Sequence, residues 1–188
     1  MGTGPVRIAA STFEGMFQRA LKVDEVMAAK LRGVGFDVNR MEPTYPVSVW
    51  RDALRLAARE YFPQHSPSDG EFELGKRMVD GYFATLVGKV IGAAMPFLSP
   101  DTLCTRLPRF FSTGVEGDLK PAETKKLGER HYQATLFGDQ GVPWFTAGSV
   151  DSALRLTRVT PSVKVAEVVG SRSASPTFAS CSQRPFTV

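Results

Sequence analysis

The stretch from Phe72 to Leu98 is the longest apolar segment of the 188-residue chain, and it constrains the fold more than any other feature. Its apolar residues recur at spacings of three, four and seven, which is the period of an α-helix. They also cover more than one narrow stripe, and a helix that is apolar on most sides belongs in the middle of a bundle. Because Asp80 and Lys89 interrupt the stretch, we expect no membrane span.

Four glycines notch this stretch, at positions 75, 81, 88 and 92. Each costs a helix interior about 1 kcal/mol relative to alanine, so some contact should offset the loss. One interpretation is close packing against a neighbouring helix, or a break that divides the stretch in two. The other is a hollow that admits a ligand beside the helix. We favour packing or a break, because an isolated glycine in a helical pattern usually has a local structural reason.

Helical patterns surround the central stretch. Phe13 begins a short amphipathic helix, Asp24 can cap a second helix, and a third begins at Pro46. Residues 64–70 have the composition of a linker, since serine, proline, aspartate and glycine are concentrated there. The bundle therefore occupies the N-terminal part of the chain.

A further helix is predicted after the central stretch. Ser99 is its expected N-cap and Pro100 its first residue. Pro108 is expected to interrupt it, because a proline in a helix interior removes a hydrogen-bond donor and clashes with the preceding turn. Residues 109–114 are then predicted to form a turn that directs two phenylalanines into the core.

Strand patterns come later. Tyr132 and Ala134 alternate with polar residues, residues 117–126 are the expected antiparallel partner, and residues 163–169 suggest a last strand. Helices followed by strands favour an α+β fold over alternating βαβ units. We predict an N-terminal helical bundle around a central Gly-notched apolar helix, packed on a small antiparallel C-terminal sheet.

The length suits one domain with a substantial core. We expect a flexible N-terminus over residues 1–11 and a single α+β domain over residues 12–169. Residues 170–188 are rich in serine and proline and lack acidic side chains, so a disordered tail is expected there.

Composition excludes several classes of partner. The net charge of +4 and pI of about 9.2 are only mildly basic, and the basic residues are scattered, so no nucleic-acid partner is expected. The first ten residues lack the apolar core of a signal peptide, which makes a cytoplasmic location the expectation.

No catalytic or metal-binding constellation is visible. Two histidines and two distant cysteines give no metal-ligand spacing. Gly33 and Gly35 lack the further residues of a phosphate loop, and Ser149 is not set in the Gly-x-Ser-x-Gly elbow of a hydrolase. We therefore expect no metal site, no catalytic residues and no enzymatic activity.

An ordered set of motifs resembles a myxobacterial paralogous family of uncharacterised proteins of about 200 residues. The resemblance covers about residues 12–169. Members of that family end with a further charged and aromatic strand, whereas in this chain a Ser/Pro-rich tail follows Gly170. The motifs are Phe13-Glu-Gly-Met-Phe17, Tyr45-Pro-Val-Ser-Val-Trp50, Leu74-Gly-Lys-Arg77 with Gly81-Tyr82, Arg106-Leu-Pro-Arg-Phe-Phe-Ser-Thr-Gly114 and Phe145-Thr-Ala-Gly148.

The layout is more distantly similar to a superfamily of haem nitric-oxide-binding domains, vinyl-reductase-type ligand-binding domains and vesicle-tethering subunits. That resemblance implies a helical bundle and a small sheet around an interior pocket. It also raises haem as a cofactor, which needs a ligating side chain facing the pocket. His65 lies in the linker, His131 lies on the polar side of a strand, and the Tyr-x-Ser-x-Arg pattern of the haem binders is absent. Haem is disfavoured, and no cofactor is expected.

Cys104 has a role implied by the same superfamily. Its vesicle-tethering members carry a buried cysteine that accepts an acyl chain, and Cys104 lies in a helix predicted to belong to the core. This makes Cys104 a candidate acylation site. A buried inert thiol is the commoner case.

Two hypotheses for function follow. The first is a sensing or regulatory domain that binds a small apolar ligand in an interior pocket with aromatic and aliphatic walls. The alternative is a protein–protein interaction or assembly subunit, which includes a homo-oligomer, acting through an exposed face of the 46–62 helix. For the first hypothesis, simple core filling by the same residues is the favoured competing interpretation. The candidate lining residues are Tyr82, Phe83, Leu86, Phe110, Phe111 and Trp144.

Overall fold

The computed structural model of the protein describes residues 6–84, 89, 92–112, 114–117, 122–135, 143–167 and 177–184. It has the predicted α+β architecture, with helices in the N-terminal part and an antiparallel sheet in the C-terminal part. The helices are α1 (Ala10–Phe13), which continues as a π-helix (Glu14–Ala20), α2 (Glu25–Gly33), α3 (Val47–Tyr61), α4 (Pro67–Ala84), a 3-10 turn (Met95–Phe97), α5 (Pro100–Ser112) and α6 (Pro143–Arg155).

The strands form two antiparallel sheets. The first has the order β2-β1-β3, and the second has the order β4-β5-β7-β6. Register in the second sheet pairs Lys126 with Tyr132 and Lys125 with Gln133 across the β4–β5 hairpin. The strands are β1 (Arg7–Ala9), β2 (Thr44–Pro46), β3 (Val115–Glu116), β4 (Glu123–Gly128), β5 (His131–Thr135), β6 (Thr160–Glu167) and β7 (Thr177–Arg184).

Side-chain caps explain where three helices begin. The Asp24 carboxylate accepts the Met27 amide at 2.8 Å, as the sequence predicts for α2. Ser99 Oγ likewise accepts the Thr102 amide at 3.1 Å at the start of α5. Ser66 Oγ accepts the Asp69 amide at 3.2 Å. The expected linker is therefore shorter than predicted, because this cap lets Pro67 open α4.

The N-terminal helices enclose a closed aromatic core, which we call the aromatic cluster. The Phe13 ring lies at its centre, with centroids 4.6 Å from Phe36, 4.7 Å from Tyr45 and 4.9 Å from Trp50. Phe17 completes the set at 5.3 Å from Phe36. All five side chains are buried. Rings at these separations fill the space between the helices.

The central helix α4 crosses α6 at unusually close range. A Cβ atom placed on Gly75 would overlap the Phe145 carbonyl oxygen, and one placed on Gly148 would overlap the Phe72 carbonyl oxygen. Ser149 Oγ lies at the crossing and donates to the Gly75 carbonyl oxygen at 3.1 Å. Reciprocal glycines thus let the two backbones touch.

The other notches of the central stretch are also explained by packing where they are described. A side chain at Gly81 would overlap Ala20 at the end of the π-helix, and one at Gly92 would press on the Phe83 ring. The packing interpretation is confirmed for Gly75, Gly81 and Gly92. Gly88 lies outside the described residues.

The structure differs from the sequence-based expectation at Pro108, which does not end its helix. Helix α5 continues to Ser112. Leu103 and Leu107 are buried on its inner face, and burial of two such side chains contributes about 3–6 kcal/mol. That gain offsets a proline penalty of about 3 kcal/mol. The expected turn at 109–114 is therefore mostly helix.

Both expected flexible ends contain strands. Arg7–Ala9, inside the N-terminal segment 1–11, forms β1, in which Ile8 is buried. Residues 177–184, inside the C-terminal segment 170–188, form β7. The latter eight residues contain no glycine or proline. The Ser/Pro-rich composition of the whole segment obscured this short run.

Candidate functional site

A second buried group of side chains lies between the helices and the four-stranded sheet, and we call it the Cys104 cluster. It consists of Met95, Leu103, Cys104, Tyr132 and Leu154. These residues come from the 3-10 turn, α5, β5 and α6, so the cluster joins the helical layer to the sheet. Its partly buried neighbours are Phe83, Leu98, Val150, Ala153, Leu156, Val159 and Val163.

Cys104 occupies the helical side of this cluster and is 1% exposed. It projects from α5 beside Leu103, which is buried with it. The surroundings are apolar, and an apolar environment disfavours the thiolate. The geometry therefore places the thiol in the core.

Tyr132 gives the cluster its one polar feature from the sheet side. The residue is 3% exposed, and its hydroxyl is buried without a well-aligned hydrogen bond to the described residues, although Asp101 and Lys126 lie close enough to shift its pKa. A buried hydroxyl left unpaired costs about 1–3 kcal/mol. Such a group is a candidate to bind something the chain itself does not supply.

A charged pair borders the Tyr132 hydroxyl. Lys126 Nζ lies 2.6 Å from Asp101 Oδ2, and the two side chains are about half exposed. The same Lys126 nitrogen lies 5.5 Å from the centroid of the Tyr132 ring. Burial, and next the Asp101 carboxylate, raise the pKa of the Tyr132 phenol. The hydroxyl therefore sits between the apolar cluster and a polar rim.

The rim charges stabilise each other. Hydrogen bonding to Lys126 lowers the pKa of the Asp101 carboxyl. The bond to Asp101 in turn raises the pKa of the Lys126 amine. Both groups stay charged at neutral pH, and their exposure to solvent screens the attraction.

The structure places the predicted lining residues at different depths. Phe83 packs against the Cys104 cluster, and its ring centroid lies 5.3 Å from that of Tyr82. Tyr82 is exposed, and Phe110 is 50% exposed. Trp144 is partly buried in the first turn of α6. Leu86 and the side chain of Phe111 lie outside the described residues.

Phe83 and Cys104 are thus the two sequence-based candidates that come together. Tyr132, Lys126 and Asp101 were not among the candidates. The alternation around Tyr132 did mark it as a residue of the buried face of its strand. Its pairing with Lys126 depends on the hairpin register, which the sequence did not specify.

Glu71 is a second buried ionisable group, remote in sequence from the cluster. It projects from α4 toward α3, where its carboxylate lies 3.9 Å from the Arg55 guanidinium. Burial raises the pKa of the Glu71 carboxyl to about 7, against a smaller lowering by Arg55. We assign it to the fold rather than to the candidate site.

The described histidines do not fit haem ligation. His65 is exposed in the connection between α3 and α4, with its ring 5.5 Å from that of Phe62. His131 is on β5 and alternates with the buried Tyr132 and Ala134, so it faces away from the cluster. Neither imidazole reaches the core.

Within the described part of the chain, no group of three histidine, cysteine or acidic side chains is placed to hold a metal ion. None of the helices described is long and apolar enough to cross a bilayer.

Solved structures of H-NOX proteins share the fold over nearly the whole chain. One, from a study of haem distortion in the H-NOX family, has 12% identity and a TM-score of 0.67, and the match covers 95% of this chain and 96% of that one. A mutant H-NOX of T. tengcongensis has 10% identity and a TM-score of 0.66, with coverage of 94% and 97%. An H-NOX mutant of K. algicida has 11% identity and a TM-score of 0.64, with coverage of 95% and 97%.

At these identities the likeness establishes the fold, and the distant resemblance seen in the sequence is confirmed at that level. No curated protein matches the chain in sequence. One family does match, over residues 7–174. The chain therefore belongs to the family described as "Protein of unknown function (DUF2378)".

Proposed function

We propose that the protein is a non-enzymatic sensing or regulatory domain that binds a small apolar ligand inside the Cys104 cluster. One observation carries the proposal: the Tyr132 hydroxyl is buried at the edge of an apolar cluster and makes no well-aligned hydrogen bond to the described residues. A few placed polar groups in an apolar wall are the usual composition of a small-molecule site. The fold supports the same class, since its H-NOX neighbours are described through their haem.

The aromatic cluster does not compete for this role. Its rings lie at contact distances from one another, and the α4–α6 crossing is closed by backbone contact. A guest among these rings would have to separate side chains that are already in contact with one another. The other predicted lining residues, Tyr82, Leu86, Phe110, Phe111 and Trp144, stay a prediction.

The proposed ligand is not a histidine-bound haem, because His65 and His131 lie away from the cluster. Catalysis is not proposed either. Asp151 is buried but engaged by Arg155 through bonds of 2.6 and 3.2 Å. Glu71 lies at the α3–α4 contact with Arg55. These ionisable groups are held in separate pairs and do not converge on one cleft.

Native and denaturing mass spectrometry of the purified protein test the proposal. We expect extra mass in the native spectrum that disappears on denaturation. An increment that survives denaturation and is lost in Cys104→Ser, but not in Cys181→Ser, would instead identify Cys104 as an acylation site. A Soret absorbance with the mass of haem would contradict the ligand class. A bare protein that also takes up no added apolar compound would overturn the proposal.

One observation favours the second candidate, an assembly subunit. Phe97 is 86% exposed in the 3-10 turn, and burial of such a ring against a partner is favourable. Helix α3, the expected contact face, carries no exposed large hydrophobic side chain among the described residues.

If Phe97 mediates self-association, Phe97→Ser should convert a dimer to a monomer in sedimentation velocity. Val26→Ser is the matched control, since Val26 is also exposed but lies on α2. A wild-type protein that stays monomeric at high concentration would exclude self-association through Phe97.

A further inference from the structure

The polar rim of the Cys104 cluster indicates which chemical class of ligand the site would take, an inference that rests on the proposed function. Three features of the rim matter: a buried hydroxyl, a cation beside it and a replaceable counter-ion.

The hydroxyl belongs to Tyr132, whose ring is packed with Leu103, Cys104 and Leu154. It is buried and makes no well-aligned hydrogen bond to any described residue, although the Asp101 carboxylate and the Lys126 amine lie close enough to shift its pKa. A phenol donates strongly to an anionic oxygen. A ligand carboxylate at this point would therefore replace Asp101 as the acceptor beside the hydroxyl.

The cation is Lys126, whose Nζ lies 5.5 Å from the centre of the Tyr132 ring. Register pairs the two residues directly across β4 and β5, which places their side chains on the same face of the sheet. Lys125 pairs with Gln133 and so projects from the opposite face. Lys126 therefore lies on the face of the hairpin that borders the cluster, and Lys125 lies on the opposite face.

The counter-ion is Asp101 at 2.6 Å from Lys126 Nζ. Both side chains are about half exposed, and exposed pairs contribute little net energy because water and salt compete for them. A ligand carboxylate can take the place of Asp101 on Lys126, while Asp101 turns to solvent.

We infer that the site takes a long-chain monocarboxylate, with the carboxylate held by Lys126 and Tyr132 at the rim and the alkyl chain among Met95, Leu103 and Leu154. The Lys126 cation matches a single negative charge on the ligand. The buried remainder of the cluster is apolar apart from the thiol, which matches an unsubstituted chain. An amine at the same place would meet Lys126 as a like charge.

Calorimetric titration of the full chain with dodecanoate, 1-dodecanol and dodecylammonium tests the inference. We expect dodecanoate to bind more tightly than the alcohol, and the amine to bind most weakly. Lys126→Met keeps the aliphatic stem but removes the charge, so it should weaken dodecanoate about 10- to 100-fold and leave the alcohol unchanged. Lys125→Met is the control and should change neither.

Tyr132→Phe keeps the packed ring, so folding is retained, and it should weaken both dodecanoate and dodecanol about 5- to 10-fold. Equal binding of dodecanoate and dodecanol to the wild type, or equal effects of the two lysine substitutions, would overturn the head-group inference but leave an apolar ligand in place. Tightest binding of the amine would also overturn it, because it would show that Asp101, and not Lys126, holds the head group of the ligand. Failure of all three compounds to bind would overturn the proposed function as well.

Discussion

Glu71 is a carboxyl group placed in the contact between α3 and α4, and its ionisation opposes folding. Burial raises its pKa from an ordinary 4.5 to about 7. The folded chain therefore retains a proton that the unfolded chain releases between these values. The protonated carboxyl is compatible with burial, so its contribution to the free energy of unfolding is complete below about pH 4.5. That contribution is lost as the pH rises through 7 and the buried group ionises.

We predict that Glu71→Gln stabilises the protein at pH 8 by about 1–3 kcal/mol and has little effect at pH 4.5. The neutral amide removes the cost of burying a charge but keeps the shape of the side chain. Urea unfolding at both pH values measures the difference. Glu73→Gln is the control, because Glu73 makes a surface pair with Lys76 at 2.7 Å, and such pairs contribute little. An equal gain from Glu73→Gln would contradict the assignment.

At the scale of elements, α4 and α6 make the closest helix–helix contact in the described part of the molecule. Gly75 and Gly148 each face a backbone carbonyl of the other helix. Backbone atoms cannot rotate away as a flexible side chain can, so an added methyl group would have to separate the helices.

Gly75→Ala or Gly148→Ala should therefore destabilise the fold by about 2–3 kcal/mol or more, despite the higher helix propensity of alanine. The midpoint of urea unfolding, at unchanged slope, reports the loss. Gly33→Ala provides the comparison, because nothing lies within 4 Å of a Cβ atom at that last residue of α2. Unchanged midpoints for Gly75→Ala and Gly148→Ala would show that the helices can move apart cheaply.

The elements also show where sequence reasoning was sufficient. Spacing of apolar residues predicted the helices beginning near Phe13, Glu25 and Val47, since local periodicity determines which face is buried. It failed at Pro108, where contacts of Leu103 and Leu107 with distant parts of the chain outweigh a local penalty. The π-helix was not foreseen either, because its wide turn, with the Leu21 amide bonded to the Met16 carbonyl at 2.9 Å, has no periodic signature of its own.

At the scale of the whole molecule, the α+β layout was predictable and the site was not. The change from helical to alternating periodicity along the chain indicated the architecture. Phe83 was predicted as a candidate because it is an aromatic residue of the central apolar stretch, and Cys104 because of the resemblance to the vesicle-tethering subunits. Tyr132 and Lys126 were missed because their contact depends on strand register, and register depends on which face the rest of the chain covers.

The two sheets differ in when an inner strand is synthesised, and this difference has a consequence for biosynthesis. β1, the first described strand, is the middle strand of the β2-β1-β3 sheet, and β7, the last, lies inside the β4-β5-β7-β6 sheet. The first sheet can therefore close around a strand that has already left the ribosome. The second cannot, because β5 and β6 must wait for the strand that pairs with both of them. Until then both leave unpaired backbone edges, which are prone to association with other chains.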